Sequence, residues 1–442
     1  MRKKISVGAA LVVTLLCCLA TFQVTYLVSR TSFERRYLSE TLNAVNSARG
    51  SVSAQAQTAA QDSAYAGDVQ GEESSDFMTK LTSRISEVDA LFRSYYIDDI
   101  DDEFLMDCVL DGYIAGTKDA YGAYYNAADF DAFMDDMGGE VVGIGVNVIY
   151  NTEYQCIEVL NVVPDSPALE AGILPGDLIW TVGEEREPVP TLGYYPAIGK
   201  LRGEAGTVAI FSVLRGEGSE KEELDFRITR ARVTEITVMS HIYGPDASVG
   251  VVRITGFDAT TPVQFVQAVE SLRAEGCEKL VVDLRYNPGG ELSSIVTTLD
   301  YILPEGPIVR IMDADGKEVN AYYSEATELD MPMAVLVNGS TASAAELFTS
   351  AVRDYQKAVI VGTTTYGKGC MQTTIPLSFG GAVSITYRMY NPPFSDNYHG
   401  VGIIPDVEVE LDEALADKNT YKITDEEDNQ LAAAVAALGS EG

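Results

Sequence analysis

Histidine is scarce in this chain. The 442 residues include two, His241 and His399, and no HExxH pair. A zinc centre is therefore poorly supplied, and no metal or cofactor is expected. A Ser-His-Asp site would have to use one of these two imidazoles. Positive charge is also short: 31 basic against 66 acidic residues leave a net charge of −35. Nucleic acid is excluded as a partner, because phosphate binding needs concentrated positive charge. The acidic surface instead favours solubility and repels anionic surfaces. Of six cysteines, Cys17 and Cys18 sit in the apolar start, and Cys108, Cys156, Cys277 and Cys370 are scattered without a CxxC. Their spacing predicts no disulfide, so they read as small buried side chains.

The segment 1–30 is unlike the rest. Arg2, Lys3 and Lys4 precede a largely apolar run over 5–28, long enough to span a bilayer as a helix. Arg30, Arg35 and Arg36 place positive charge on the other flank as well. The expectation is a single-pass anchor in the plasma membrane with the body of the chain outside the cytoplasm. A cleaved signal peptide is the rival, although Ala20 offers no clear Ala-x-Ala site. A lipoprotein signal at Leu15-Leu16-Cys17-Cys18 is a poorer match. Either rival also exports the body.

Residues 31–75 are rich in Ser, Ala, Gln and Gly and read as a linker. The pattern over 76–137 is helical: Val88, Leu91, Phe92 and Tyr95 share one face, and Phe104, Leu105, Val109 and Tyr113 suggest a second helix. Together they predict a small helical layer on a larger domain. Residues 138–232 read as a compact, mostly β module, with strand formers over 141–149, 155–163 and 208–213. Ser166-Pro167-Ala168 opens a short helix, Pro175-Gly176-Asp177 makes a turn, and Trp180 fills core. Residues 233–415 read as an α/β core with mixed sheet and helices. Its strands are expected over 248–254, 279–284, 333–337 and 358–361, with helices over 261–275 and 342–355. Residues 416–442 form a tail whose helix begins near Leu431.

Residues just past parallel strands are where ligands meet such sheets. Ser343 lies among small neighbours in Thr341-Ala342-Ser343-Ala344-Ala345-Glu346, near a helix start whose unpaired N–H groups can face developing negative charge. A capping hydroxyl explains the same residue. Lys368, between Gly367 and Gly369, is either an exposed turn lysine or a general base whose neutral amine is made accessible by desolvation. Gln372, four residues on, could aim that amine. Gly289 and Ala344 could offer backbone N–H groups to an oxyanion, although Gly289-Gly290 would also form an ordinary strand-ending turn. Cys370 beside Lys368 is a weaker candidate nucleophile.

The arrangement of these stretches resembles the carboxyl-terminal processing, or tail-specific, proteases, whose protease core is interrupted by a PDZ domain. The resemblance covers roughly Val88 to Leu438. It rests on Gly143-Ile144-Gly145-Val146, on Ser166 through Asp177, and on Asp283-Leu284-Arg285-Tyr286-Asn287-Pro288-Gly289-Gly290. It continues with Ala342 through Glu346, Gly367 through Gln372, and Gly402-Ile403-Ile404-Pro405-Asp406. It implies Ser343 as nucleophile, Lys368 as base, Gln372 as its positioner, and an oxyanion hole at the Gly289 and Ala344 amides. It also implies that 138–232 is a PDZ domain whose Gly143, Ile144, Gly145 and Val146 receive the C-terminus of a protein or peptide substrate. Three departures stand out. Thr341 and Ala345 replace serines of the usual Ser-Ala-Ser-Ala-Ser-Glu, Cys370 stands where serine is common, and Lys118-Asp119-Ala120-Tyr121-Gly122 replaces Leu-Asp-Pro-His-Ser. The rival readings are a tethered PDZ scaffold without hydrolytic activity and a Ser-His enzyme using His399 or His241. Monomer and homodimer both remain open.

Overall fold

The computed structural model describes residues 72–439 apart from 152, 217–220, 326–327, 416–417 and 419. The expected anchor and most of the linker lie outside the described residues. The chain divides into two compact units at Asp101 and Asp102. In the first, the described element is the helix Glu72–Tyr95, with an Arg93–Asp89 ion pair at 2.9 Å one turn apart. No described helix is long and apolar enough to cross a membrane.

The second unit is mixed α/β. Its central sheet has six strands in the order Val238–Ile242, Val249–Ile254, Lys279–Asp283, Met333–Val337, Ala358–Gly362 and Val407–Glu408. The first pair is antiparallel and every later pair is parallel. Parallel strands need crossovers, which put cover on both faces and make the strands apolar on both sides. Met333–Val337 accordingly is buried at all five positions. The helices Thr261–Ala274, Leu292–Ile302 and Ala344–Asp354 contribute Phe265, Val269, Leu299 and Phe348 to one core layer. The helix Asn429–Ala437 covers the other face with Leu431 and Ala434, against Val251, Val281 and Leu336.

A second, antiparallel sheet lies in the same unit: Ala123–Tyr125, Ala382–Asn391, Gly306–Met312 and Glu318–Ser324 in that order, with Cys370–Pro376 also paired to Ala382–Asn391. The sequence pattern predicts none of these strands. They carry Arg310, Tyr322, Tyr387 and Arg388 among their apolar positions, which blurs the period-2 signal.

Residues 141–149 read as one strand from the sequence but form two. Glu140–Gly143 pairs with Ala231–Thr234, whereas Val146–Asn151 pairs with Cys156–Val162 in a different sheet. The break falls at Gly145, at φ +86°, where an added Cβ would lie 2.3 Å from Ser166 Cβ. A glycine is required there by both conformation and contact. The resulting six-stranded, mostly β module has its own core of Ile157, Ile179, Val213, Phe211 and Ala197. Trp180 is half-buried against that core.

The helix Asp102–Thr117 departs from the expected packed layer. Phe104, Val109 and Tyr113 are exposed, and no residue of this helix is buried. Its apolar residues spread around the axis instead of forming one stripe. It is tied down through Asp107, whose carboxylate accepts from Tyr124 Oη at 3.0 Å. Three of the four cysteines in the described segment are buried and all four are free.

Candidate active site

Ser343 sits at the junction between the strand Met333–Val337 and the helix Ala344–Asp354, which it N-caps. Its backbone is in a sparsely populated conformation, φ +56° and ψ −119°. Such a backbone costs about 1–3 kcal/mol and persists only where its surroundings over-determine it. Here they do. Ala342 N–H donates to Asn287 O at 2.9 Å, Thr341 Oγ1 to Leu284 O at 2.8 Å, and Tyr366 N–H to Thr341 O at 3.0 Å. The loop is thereby stitched to the end of the strand Lys279–Asp283 on one side and to the Lys368 loop on the other.

The side chain that joins these pieces is Glu346. Its carboxylate is fully buried and accepts four hydrogen bonds: from Ser343 N–H at 2.9 Å, Thr365 Oγ1 at 2.6 Å, Gly367 N–H at 2.6 Å and Lys368 N–H at 2.7 Å. A buried carboxylate needs this many donors to offset lost hydration. One oxygen, Oε2, receives the amides of both Ser343 and Lys368. The sequence does carry a signal for this role. Ser343 and Glu346 have the S-x-x-E spacing in which the glutamate reaches back to the N-cap amide.

Lys368 is half-buried, and burial pulls its ammonium below the ordinary lysine value of 10.5, while the nearby Cys370 and Asp119 act in the opposite direction. Its Nζ lies 4.8 Å from the centre of the Tyr121 ring and makes no hydrogen bond with Ser343 Oγ among the described residues. The hydroxyl of Tyr390 contacts both sides, at 2.6 Å from Lys368 O and 3.4 Å from Ser343 Oγ. A phenol has one proton to give, and the shorter contact takes it. Desolvation raises the Tyr390 pKa, which keeps the phenol neutral.

Gln372 makes no hydrogen bond with Lys368 among the described residues. Its Nε2 reaches Thr386 Oγ1 at 3.2 Å and Cys370 Sγ at 3.6 Å. Cys370 is buried, and that burial pushes its thiol up, against thiolate formation. Gly289 lies directly beside the Ser343 loop. At φ +103°, an added Cβ would lie 2.7 Å from Ser343 Cβ and 2.8 Å from Ala344 N. Its own N–H donates to Asn287 Oδ1 at 2.8 Å. Ala344 N–H, in the first turn of its helix, makes no hydrogen bond among the described residues. Ser343, Gly289 and Ala344 are thus brought together, the Lys368 backbone joins them through Glu346, and Gln372 meets Cys370 and Thr386.

The two histidines are not placed as a triad requires. His399 Nδ1 accepts from Gly369 N–H at 3.3 Å, and His241 is paired with Asp425 at 2.9 Å on an edge strand of the central sheet. Neither hydrogen-bonds Ser343 among the described residues.

Residues 248–409 match the profile of Peptidase family S41. A carboxy-terminal-processing protease of Bartonella bacilliformis is 31% identical over 337 residues, 75% of each chain. A probable CtpA-like serine protease of Staphylococcus aureus is 31% identical over 356 residues, 78% of this chain and 69% of that one. The chain belongs to peptidase family S41. It is a serine-type peptidase of the carboxy-terminal-processing group. The structure of a photosystem II D1 C-terminal processing protease also aligns, at 26% identity over 73% of this chain and 86% of that one, with a TM-score of 0.43.

This S41 peptidase also has a groove in its β module. A cavity of about 120 Å³ is lined by Gly143, Ile144, Gly145, Val146, Ile198, Leu201 and Arg202. The carbonyls of Ile144 and Gly145 are turned into the fold, where they accept from Ala168 N–H at 2.8 Å and Val163 N–H at 3.0 Å. The amides of Ile144 and Gly145 make no hydrogen bond among the described residues. The adjoining strand Val146–Asn151 is an edge strand, paired on one side only.

Proposed function

We propose that this peptidase is an endopeptidase that selects protein or peptide substrates by their C-termini and cleaves them through an acyl-enzyme on Ser343. The observation that carries the reading is Glu346, whose single oxygen Oε2 holds the backbone amides of Ser343 and Lys368 side by side. Ser343 Oγ attacks the peptide carbonyl while neutral Lys368 takes its proton. The lysine then returns that proton to the departing amine, and water hydrolyses the ester. The Ala344 amide and the Gly289 amide, the latter released from Asn287 Oδ1, receive the oxyanion. For attack, the Lys368 side chain has to leave the Tyr121 ring and turn towards Ser343 while Glu346 keeps its backbone fixed. Gln372, held near Cys370 and Thr386, meets the amine in that position.

The β module is read as a PDZ domain. Its unengaged Ile144 and Gly145 amides suit a terminal carboxylate, its open edge strand suits strand addition, and Ile198 with Leu201 suits an apolar last side chain. The basic start and apolar run of segment 1–30 support a membrane tether with the catalytic unit outside the cytoplasm.

The decisive test is cleavage of a peptide substrate by the full chain and four variants. Ser343→Ala and Lys368→Ala are expected to lose activity, while His399→Ala and His241→Ala keep it. Loss in a histidine variant with retention in Lys368→Ala would overturn the Ser–Lys assignment.

A further inference from the structure

We infer that Tyr121 is a positioning residue for the catalytic base: its ring seats the Lys368 ammonium and sets the pH at which that lysine becomes available. The inference rests on the reading of Lys368 as base. Two observations lead to it. First, Lys368 Nζ lies 4.8 Å from the Tyr121 ring centre, within the range at which a ring face attracts a cation. This ring takes the place of a hydrogen-bond partner, since Lys368 Nζ makes no hydrogen bond among the described residues.

Second, the ring is held. Tyr121 N–H donates to Asp119 Oδ1 at 3.0 Å, and the Asp119 carboxylate accepts from Thr386 N–H and Thr386 Oγ1, both at 2.8 Å. Thr386 Oγ1 in turn meets Gln372 Nε2 at 3.2 Å. The turn carrying Tyr121 is therefore pinned to the strand Ala382–Asn391, which also carries Tyr390. The ring packs edge-on to His399, with centroids 6.1 Å apart.

The ring stabilises the charged amine, whereas the apolar surroundings favour the neutral one. Other ionisable groups face the same space from every neighbouring element: Asp119 from the turn, Tyr366 and Cys370 from the lysine's own segment, Glu346 from the nucleophile helix, Tyr390 from the strand, and His399 from the following loop. Removing the ring while keeping apolar bulk leaves the desolvation and deletes the attraction. The lysine then loses its proton at lower pH.

The test is the pH dependence of Ser343 labelling by a fluorophosphonate, measured on the full chain. Tyr121→Leu is expected to move the midpoint of the rising limb down by about half to one pH unit. Tyr121→Phe, which keeps the ring, is expected to leave it in place. Pentafluorophenylalanine at position 121 keeps the shape and inverts the ring's electrostatics. It is expected to move the midpoint as leucine does, and serves if Tyr121→Leu does not fold. A midpoint unmoved by leucine or by the fluorinated ring overturns the inference, because a purely packing role would leave it there. Lys368→Met separates the two levels. If it labels like the wild type, the base assignment falls and takes this inference with it. If it is silent while the Tyr121 variants leave the midpoint unmoved, only the role of Tyr121 is lost.

Discussion

At the residue scale the candidate site turns on one buried carboxylate. Glu346 satisfies four donors from the nucleophile and lysine loops while itself fully buried. Glutamine in its place offers one acceptor oxygen and presents an NH₂ group to donors it cannot satisfy. Glu346→Gln is expected to lower kcat/KM by about tenfold to a hundredfold through misalignment of both loops. Steady-state kinetics on a folded variant checks this, and an unchanged kcat/KM would show that the loops are held by other means. As the proposed base, Lys368 would supply the pH dependence. Burial lowers its pKa, so the folded chain holds this proton less tightly than the unfolded chain does. Activity therefore rises with pH through a midpoint below 10.5. By linkage, this group's contribution to stability also rises as pH climbs from the lowered value towards the ordinary one. A pH–rate profile with no deprotonation limb below 10.5 would contradict the assignment.

At the scale of elements, the sequence was informative where an element is buried on all sides. The strands over 279–284, 333–337 and 358–361 are near-continuous apolar runs, and each appears within a residue or so of its expected limits. The helix expected over 342–355 begins at Ala344, because Ser343 is held at positive φ and cannot be its first helical residue. The antiparallel sheet, with its polar interruptions, carried no such signal. For the candidate site, the family resemblance singled out the Ser343 and Lys368 loops, which Glu346 ties together. Tyr121 and Tyr390 come from elements distant in sequence, and only tertiary structure brings them to the lysine. Tertiary structure likewise brings Asp428 to the buried Arg285, at 2.7 Å, opposite its near neighbour Asp283 at 2.8 Å. Asp428 also caps the last helix through Leu431 N–H at 2.9 Å. Asp428→Ala removes a cap and one partner of a buried guanidinium, and is expected to destabilise the chain by about 3 kcal/mol. Urea unfolding measures it, and a loss under ~1 kcal/mol would mean that the remaining partners, Asp283 and Gln430, suffice.

At the scale of the whole molecule, two candidate sites of different chemistry lie on one chain: the Ser343 loop at the end of a parallel sheet and an apolar groove beside an open strand edge. If the groove selects substrates by their terminal carboxylate, amidating a substrate's C-terminus removes a charge that the Ile144 and Gly145 amides would bind. The expected loss is about tenfold to a hundredfold in kcat/KM, the size of one or two charge-assisted hydrogen bonds. Equal rates for acid and amide would separate the groove from substrate choice and leave the catalytic assignment standing.

The most direct measurement of the central claim is acid-quench mass spectrometry during turnover of an ester or peptide substrate. The account predicts an acyl group on the peptide containing Ser343, absent from Ser343→Ala and strongly reduced in Lys368→Ala. An acyl adduct on Cys370, or undiminished acylation of Ser343 in Lys368→Ala, would contradict it.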